Sequence, residues 1–278
     1  MIHNEYKKSI SSNTTLYLQE WKPVDPCVAV IALVHGLGEH SGRYAHWAEL
    51  FTKENIALIS FDLRGHGQSS GKRGHTSYDE TAQDISLLLD EASNHYPSVP
   101  IFLYGHSLGG GLVINYSLSV RPPVKGIIAT SPGLATGTPL PPAKLTVAKL
   151  ASSLMPSFTL DNGLDRANLS RDPEIEKRYS ADPLVHGMVS ARLGMDLMTR
   201  GQWSIAHANE FPLPLLLMQG TDDHLVSLEA TRQFAQAAPQ EFIIYKEWQG
   251  FYHELHNEPE KLQVFQFIHK WIKTILLS

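Results

Sequence analysis

Short apolar runs alternate along this chain with longer stretches in which apolar residues return every three or four positions. The runs at 27–34, 56–61, 101–104, 124–130, 214–219 and 242–245 have the length of buried strands, and 14–21 reads as a further one. Between them, 44–54, 78–95, 108–120 and 228–238 read as helices, with Ile85, Leu88, Leu89 and Ala92 on one face of the second. The last segment carries Leu262, Phe265, Ile268, Ile272 and Ile275 at the same spacing, and Pro259 suits its first turn. Apolar strands that alternate with amphipathic helices predict a mostly parallel sheet covered by helices on both faces.

One stretch breaks the alternation. Residues 135–209 are rich in Pro, Ser and short helical patterns, including Pro139-Leu140-Pro141-Pro142 and the apolar Leu145, Val147, Leu150, Leu154, Met155 and Phe158. The expectation is a helical cap inserted into a core made of residues 1–134 and 210–278. A cap over a site excludes water and supplies a substrate wall. Its apolar residues have three uses open to them: lining an acyl pocket, touching a membrane surface transiently, or docking the cap on the core.

Composition narrows the function classes. With 278 residues, 42% of them hydrophobic, the chain can bury a large core. A net charge of −5 with no basic run argues against nucleic acid. Residues 1–15 lack the apolar heart of a signal peptide, and no apolar stretch approaches the roughly 18 residues of a membrane span. The single cysteine, Cys27, offers no disulfide, so a cytoplasmic location is expected.

The chemistry centres on Gly105-His106-Ser107-Leu108-Gly109, which follows the apolar run at 101–104. A serine at the apex of a strand-to-helix turn projects its hydroxyl from the top of a sheet. That hydroxyl is a weak nucleophile unless a base, an orienting acid and an oxyanion hole are supplied. Upstream, the strand at 27–34 empties into His35-Gly36-Leu37-Gly38, so the backbone N–H groups of Leu37 and Leu108 are the candidate oxyanion donors. Downstream, the strand at 214–219 ends in Gly220-Thr221-Asp222-Asp223-His224. Either aspartate could orient an imidazole; Asp223 is favoured over Asp222 because it has cleared the strand end. His253 occupies the last strand-to-helix loop, where a general base belongs. The order Ser, Asp, His is that of α/β-hydrolases. Fourteen histidines raise a metal reading, but His253-Glu254-Leu255-His256 is one residue short of His-Glu-x-x-His, and no thiolate cluster is possible. Neither a metal nor a cofactor is expected.

Four segments carry a family resemblance: residues 35–44 (His-Gly-Leu-Gly-Glu-His-Ser-Gly-Arg-Tyr), 61–69 around Gly65-His66-Gly67, 105–110, and Tyr252-His253-Glu254-Leu255-His256. Together they resemble the monoacylglycerol lipase and lysophospholipase branch of the α/β-hydrolases over nearly the whole chain. Tyr179-Ser180-Ala181-Asp182-Pro183-Leu184 resembles a family segment within the cap. The resemblance implies the triad Ser107, Asp223 and His253, and a polar head-group pocket formed by Glu39, Arg43, Tyr179 and His256. Leu108 stands where family members carry Met. The expected substrate is a long-chain monoacylglycerol cleaved through an acyl-enzyme, with lysophospholipids or small esters as the rival substrates. A non-catalytic binder on the same fold is the remaining alternative.

Overall fold

The computed structural model describes residues 1–137 and 142–277, without the side chains at 142–145 and 147. Of the insertion residues named above, Pro139, Leu140 and Pro141 lie outside the described residues, as do the side chains of Pro142, Leu145 and Val147.

The strands are β1 (Ile2–Ser9), β2 (Thr15–Lys22), β3 (Ala29–Val34), β4 (Ile56–Phe61), β5 (Ile101–His106), β6 (Gly126–Thr130), β7 (Thr159–Asp161), β8 (Met188–Ser190), β9 (Leu215–Gly220) and β10 (Ile243–Trp248). The helices are α1 (Ala45–Lys53), α2 (Tyr78–His95), α3 (Leu108–Val120), α4 (Pro142–Leu154), α5 (Pro173–Ala181), α6 (Ala191–Ala206), α7 (Leu228–Ala237) and α8 (Lys261–Leu277). One eight-stranded sheet runs β1-β2-β4-β3-β5-β6-β9-β10. Its pairs are parallel except β1 with β2 and β2 with β4. This is the α/β-hydrolase fold.

β3 shows why the central strands are apolar at every position. Val30, Ala32 and Val34 face one core together with Ile85 and Leu88 of α2, Leu112 and Val113 of α3, and Phe234 of α7. Ala29, Ile31 and Leu33 face the opposite core with Trp47 and Phe51 of α1 and Ile268, Trp271 and Ile272 of α8. A strand sandwiched between helices therefore buries both faces. α2 begins with a capping box in which Ser77 accepts from the Glu80 N–H and the Glu80 carboxylate accepts from the Ser77 N–H.

β1 is an addition that the apolar pattern did not announce. It is exposed along nearly its whole length and gains its place through the antiparallel ladder to β2, so it carries no apolar periodicity.

Between β6 and β9 the chain forms α4, β7, α5, β8 and α6, with β7 and β8 paired antiparallel. This segment sits down on the loops of the main sheet through backbone contacts. The His186 N–H donates to the Gly38 carbonyl at 2.9 Å, and the Ser190 N–H donates to the Gly74 carbonyl at 2.9 Å. Both acceptors are glycines of positive φ, +78° and +72°, at which a Cβ would strike the carbonyls of His186 and Met188. Further anchors are the Tyr78 N–H donating to Asp196 at 3.0 Å and Arg171 pairing with Glu258 at 2.7 Å. Among the described residues no helix is long and apolar enough to cross a membrane.

The difference between β3 and β1 gives a stability test. Ile31→Ala removes a fully buried side chain and should cost about 2–5 kcal/mol. Ile2→Ala, at a half-exposed edge position, should cost no more than about 0.5 kcal/mol. Urea denaturation of the two variants checks the ranking.

Candidate active site

The parallel strands point their carboxyl ends the same way, so the loops after β3, β5, β9 and β10 meet above one edge of the sheet. Ser107 stands between β5 and α3 with φ +55° and ψ −120°, a conformation that non-glycine residues seldom adopt. Surrounding backbone holds it there. Its N–H donates to the Thr130 carbonyl at 3.0 Å, and its own carbonyl accepts from Gly111 N–H at 3.0 Å and Gly133 N–H at 2.7 Å. Close approach requires glycine beside it, since a Cβ on Gly105 would meet the Gly109 carbonyl and one on Gly109 would meet that of Val34.

The Ser107 hydroxyl donates to His253 Nε2 at 2.8 Å, and His253 Nδ1–H donates to Asp223 Oδ2 at 2.9 Å. Asp223 is buried and saturated: Oδ1 accepts from the N–H groups of Leu225 at 2.9 Å and Val226 at 3.2 Å, and Oδ2 accepts also from the Gln219 amide at 3.2 Å. Asp222 is exposed and bonds to the Thr221 hydroxyl, with no contact to the imidazole. The backbone of His253 is fixed as well, its carbonyl accepting from the Ser131 hydroxyl at 2.7 Å. Burial acts to lower the His253 pKa, but the adjoining Asp223 carboxylate outweighs it and holds the imidazole above its usual range. For Asp223, burial pushes upward and is outweighed by His253 and the two backbone donors, so its carboxyl stays low. Ser107, His253 and Asp223 thus form a chain along which the serine proton can pass to an imidazole whose cation is stabilised.

Leu37 and Leu108 both border the space next to Ser107, and neither backbone N–H has a protein partner among the described hydrogen bonds. The turn carrying Leu37 is pressed against the nucleophile, since a Cβ on Gly36 would lie 3.1 Å from Ser107 Cβ. Glu39 fixes that turn: its Oε1 accepts from the Gly36 N–H at 2.6 Å and from the Tyr44 hydroxyl at 2.7 Å. Its Oε2 accepts from Arg43 at 2.5 Å, and the same guanidinium makes a two-pronged contact with Glu254 at 2.6 and 2.8 Å. Burial would raise the Glu39 carboxyl, but Arg43 above all outweighs it and holds it at about 2. The Tyr179 ring of α5 covers the Arg43 guanidinium at 4.6 Å. Glu39, Arg43 and Tyr179 are therefore one cluster. His256 lies beside it, stacked on Tyr44 at 4.7 Å, fully buried, with neither ring nitrogen hydrogen-bonded.

A cavity of about 510 Å³ opens onto Ser107, His253, Leu37 and Leu108. Its walls include Leu160, Val189, Met195, Met198 and Leu225, and among its described lining residues Asp161 is the one carboxylate and no Lys or Arg is present. Asp161, Asn162 and Leu164 also border a second cavity of about 130 Å³, which Tyr179, Arg166 and His186 line. Of the four residues implied for a head-group pocket, Tyr179 reaches this smaller space, while none is among those bordering the larger one. Leu150, Leu154, Met155 and Phe158 are 45–69% exposed, so these four form an outer apolar face of the segment. Among the described residues no group of three or more His, Cys, Asp and Glu is disposed to hold a metal ion.

Residues 25–260 match a family model described as serine aminopeptidase, S33. The chain belongs to this family. It is a serine hydrolase of the monoacylglycerol lipase-like kind, with the α/β-hydrolase fold. A monoacylglycerol lipase from Mycolicibacterium smegmatis is 34% identical, with 91% of this chain and 90% of that protein aligned. A Dictyostelium discoideum abhydrolase domain-containing protein is 38% identical over 95% of this chain, which spans only 28% of that longer relative. Among solved structures, the crystal structure of the Paleococcus ferrophilus monoacylglycerol lipase is similar, with a TM-score of 0.87, 36% identity, and 94% of this chain and 99% of that one covered.

In this serine hydrolase several participants left no mark in sequence reasoning. Glu254, 211 positions from its partner Arg43, is one; Tyr44, which bonds Glu39, is another. Both stood inside segments that carry the family resemblance, yet neither was assigned a role there.

The geometry ranks the two aspartates. Asp223→Asn should lower ester kcat by about 10⁴-fold, the scale set by loss of the orienting carboxylate in a serine triad. Asp222→Asn should leave it within about twofold, since exposed substitutions are mostly silent. Because His253 must be neutral to accept the proton and its pKa is raised, kcat/KM should fall on the acid side with a midpoint above about 6.5. In Asp223→Asn the residual activity should show that limb displaced to lower pH. Stopped-assay pH profiles of both enzymes check the shift.

Proposed function

We propose that the protein hydrolyses long-chain monoacylglycerols to fatty acid and glycerol through a covalent acyl-enzyme. The observation that carries this reading is the cavity of about 510 Å³ with mostly apolar walls, opening onto the Ser107–His253 pair. Ser107 Oγ attacks the ester carbonyl carbon as its proton moves to His253 Nε2. The Leu37 and Leu108 N–H groups receive the oxyanion, for which preorganised donors cost no reorganisation during reaction. As the tetrahedral adduct collapses, the carbon–oxygen bond to glycerol breaks and His253 returns its proton to the departing oxygen. Water then attacks the acyl-enzyme by the same route, with His253 as base, and frees the acid. Asp223 holds the imidazole tautomer and its cation throughout.

The alcohol is assigned to the side of the smaller cavity. The Tyr179 hydroxyl, Asn162 and Arg166 supply polar groups there, next to the Leu37 turn, and the family resemblance implies a glycerol pocket of Glu39, Arg43, Tyr179 and His256. The exposed Leu150, Leu154, Met155 and Phe158 give the segment an apolar face for transient contact with the lipid surface that supplies the substrate. One observation favours a second reading, a carboxylesterase indifferent to the alcohol: Glu39 and Arg43 are already paired inside the protein, leaving little charge to meet a head group.

Ser107→Ala should reduce ester turnover by at least about 10⁴-fold, because the triad acts as a unit. Its melting temperature should remain near that of the parent. Monoacylglycerol and methyl ester of one fatty acid then separate the two readings. Under the proposal kcat/KM is about tenfold or more higher for the glycerol ester, as unmet polar groups penalise the methyl ester. Equal values in the parent enzyme would leave the carboxylesterase.

A further inference from the structure

α6 presents Ala191, Gly194, Met195 and Met198 to the large cavity, the spacing of one helical face. A glycine inside a helix is less stable there than alanine, because it gives up more backbone freedom and packs nothing. It is retained at no cost in fit where a Cβ has no room. That reason holds elsewhere in these helices: at Gly109 a Cβ would strike the Val34 carbonyl, and at Gly201, on the same helix, that of Leu134. It does not hold at Gly194. Among the described residues, apart from its two chain neighbours and the helix's own backbone, the nearest atom to a Cβ there would be Val189 Cγ2 at 3.9 Å, an ordinary contact, and no other lies within 4 Å. Gly194 borders the large cavity, so a side chain added there would take up part of that space.

We infer that Gly194 is a specificity-determining residue, its missing side chain setting how long an acyl chain the enzyme accepts. Position along the helix supports this. Leu197 Cδ2 comes within 3.3 Å of a Cβ placed on Gly133, whose N–H donates to the Ser107 carbonyl at 2.7 Å, so this part of α6 adjoins the nucleophile. Gly194, on the adjoining turn, lies about 4.5 Å farther along the axis. An acyl group that leaves Ser107 along α6 passes it. Met195 and Met198, flexible and apolar, flank the opening and adapt to a chain that fills it.

The inference rests on reading the cavity as the acyl site, and the experiment tests the two separately. Saturated glyceryl and methyl esters from butanoyl to octadecanoyl are assayed with the parent enzyme, Gly194→Ala and Gly194→Leu. In the parent, kcat/KM should rise with acyl length and then level off; a flat series would refute the acyl site itself, whichever alcohol is used. Given that rise, Gly194→Leu should keep butanoyl activity within about twofold and lose more than about tenfold on octadecanoyl, since each methylene kept out of an apolar site forfeits up to about fourfold. Gly194→Ala should shift the long-to-short ratio in the same direction by a smaller factor and raise the melting temperature by about 2–4 °C. Losses that are equal at every acyl length, or an unchanged octadecanoyl rate in folded Gly194→Leu, would overturn the role of Gly194. Should the leucine variant fail to fold, an unchanged ratio in the alanine variant overturns it equally. Because the shift is read along the acyl series within each alcohol, it stands or falls independently of whether glycerol is preferred.

Discussion

A guanidinium buried between two carboxylates joins the loops on which the site is built. Arg43 reaches Glu39, which holds the oxyanion turn by the Gly36 N–H, and Glu254, the residue after His253. Both carboxylates are at most 3% exposed and Arg43 is 10% exposed, so their charges have little water to fall back on. Removing one member of such a set strands buried charge, which typically costs about 3–5 kcal/mol. The two-pronged contact also fixes direction, which a single lysine point charge would not. The turn carrying Leu37 and the loop carrying His253, far apart in sequence, are thereby held in mutual register. Tyr179 packs its ring over the same cation, tying the segment above the sheet to this junction.

Burial lowers the pKa of several imidazoles around the site, while that of His253 is raised. His106, 4.9 Å from the His253 ring, is pushed down to about 4 by burial first and by His253 second, and His256 falls well below the ordinary range for similar reasons. His35, His46 and His66 are lowered chiefly by burial too. At His253 the Asp223 carboxylate, within hydrogen-bond distance, reverses the balance and raises its pKa. Among the histidines crowded here, His253 is the one raised while bonded to Ser107. The neutral rings around it add no positive charge to oppose its protonation in the reaction.

The segment between β6 and β9 does two jobs with different residues. Backbone contacts through His186 and Ser190 seat it on glycines of the core loops, while α6 and β8 turn Val189, Gly194, Met195 and Met198 toward the cavity. Seating rests on these backbone contacts and on the side-chain anchors Asp196 and Arg171, neither of which borders the large cavity, so the side chains that do are free to vary the shape of the substrate wall. That division explains how a serine hydrolase of this fold can keep one reaction and alter what it accepts.

The central strands were legible because a strand covered by helices on both faces must be apolar at every position, as β3 is. The nucleophile turn was legible because strained backbone and close packing demand small residues in a short span. β1 was not, since a strand exposed on both faces leaves no hydrophobic period. The position of Asp223 past the strand end favoured it over Asp222 in sequence, while the bond from Asp223 to the imidazole and the exposure of Asp222 are seen in the fold. The pairing of Arg43 with Glu254 was likewise invisible. Local pattern records how deeply each residue is buried, which is a property of its own neighbourhood in the chain. Which distant residues then meet depends on the order in which strands enter the sheet, and only the assembled structure decides that.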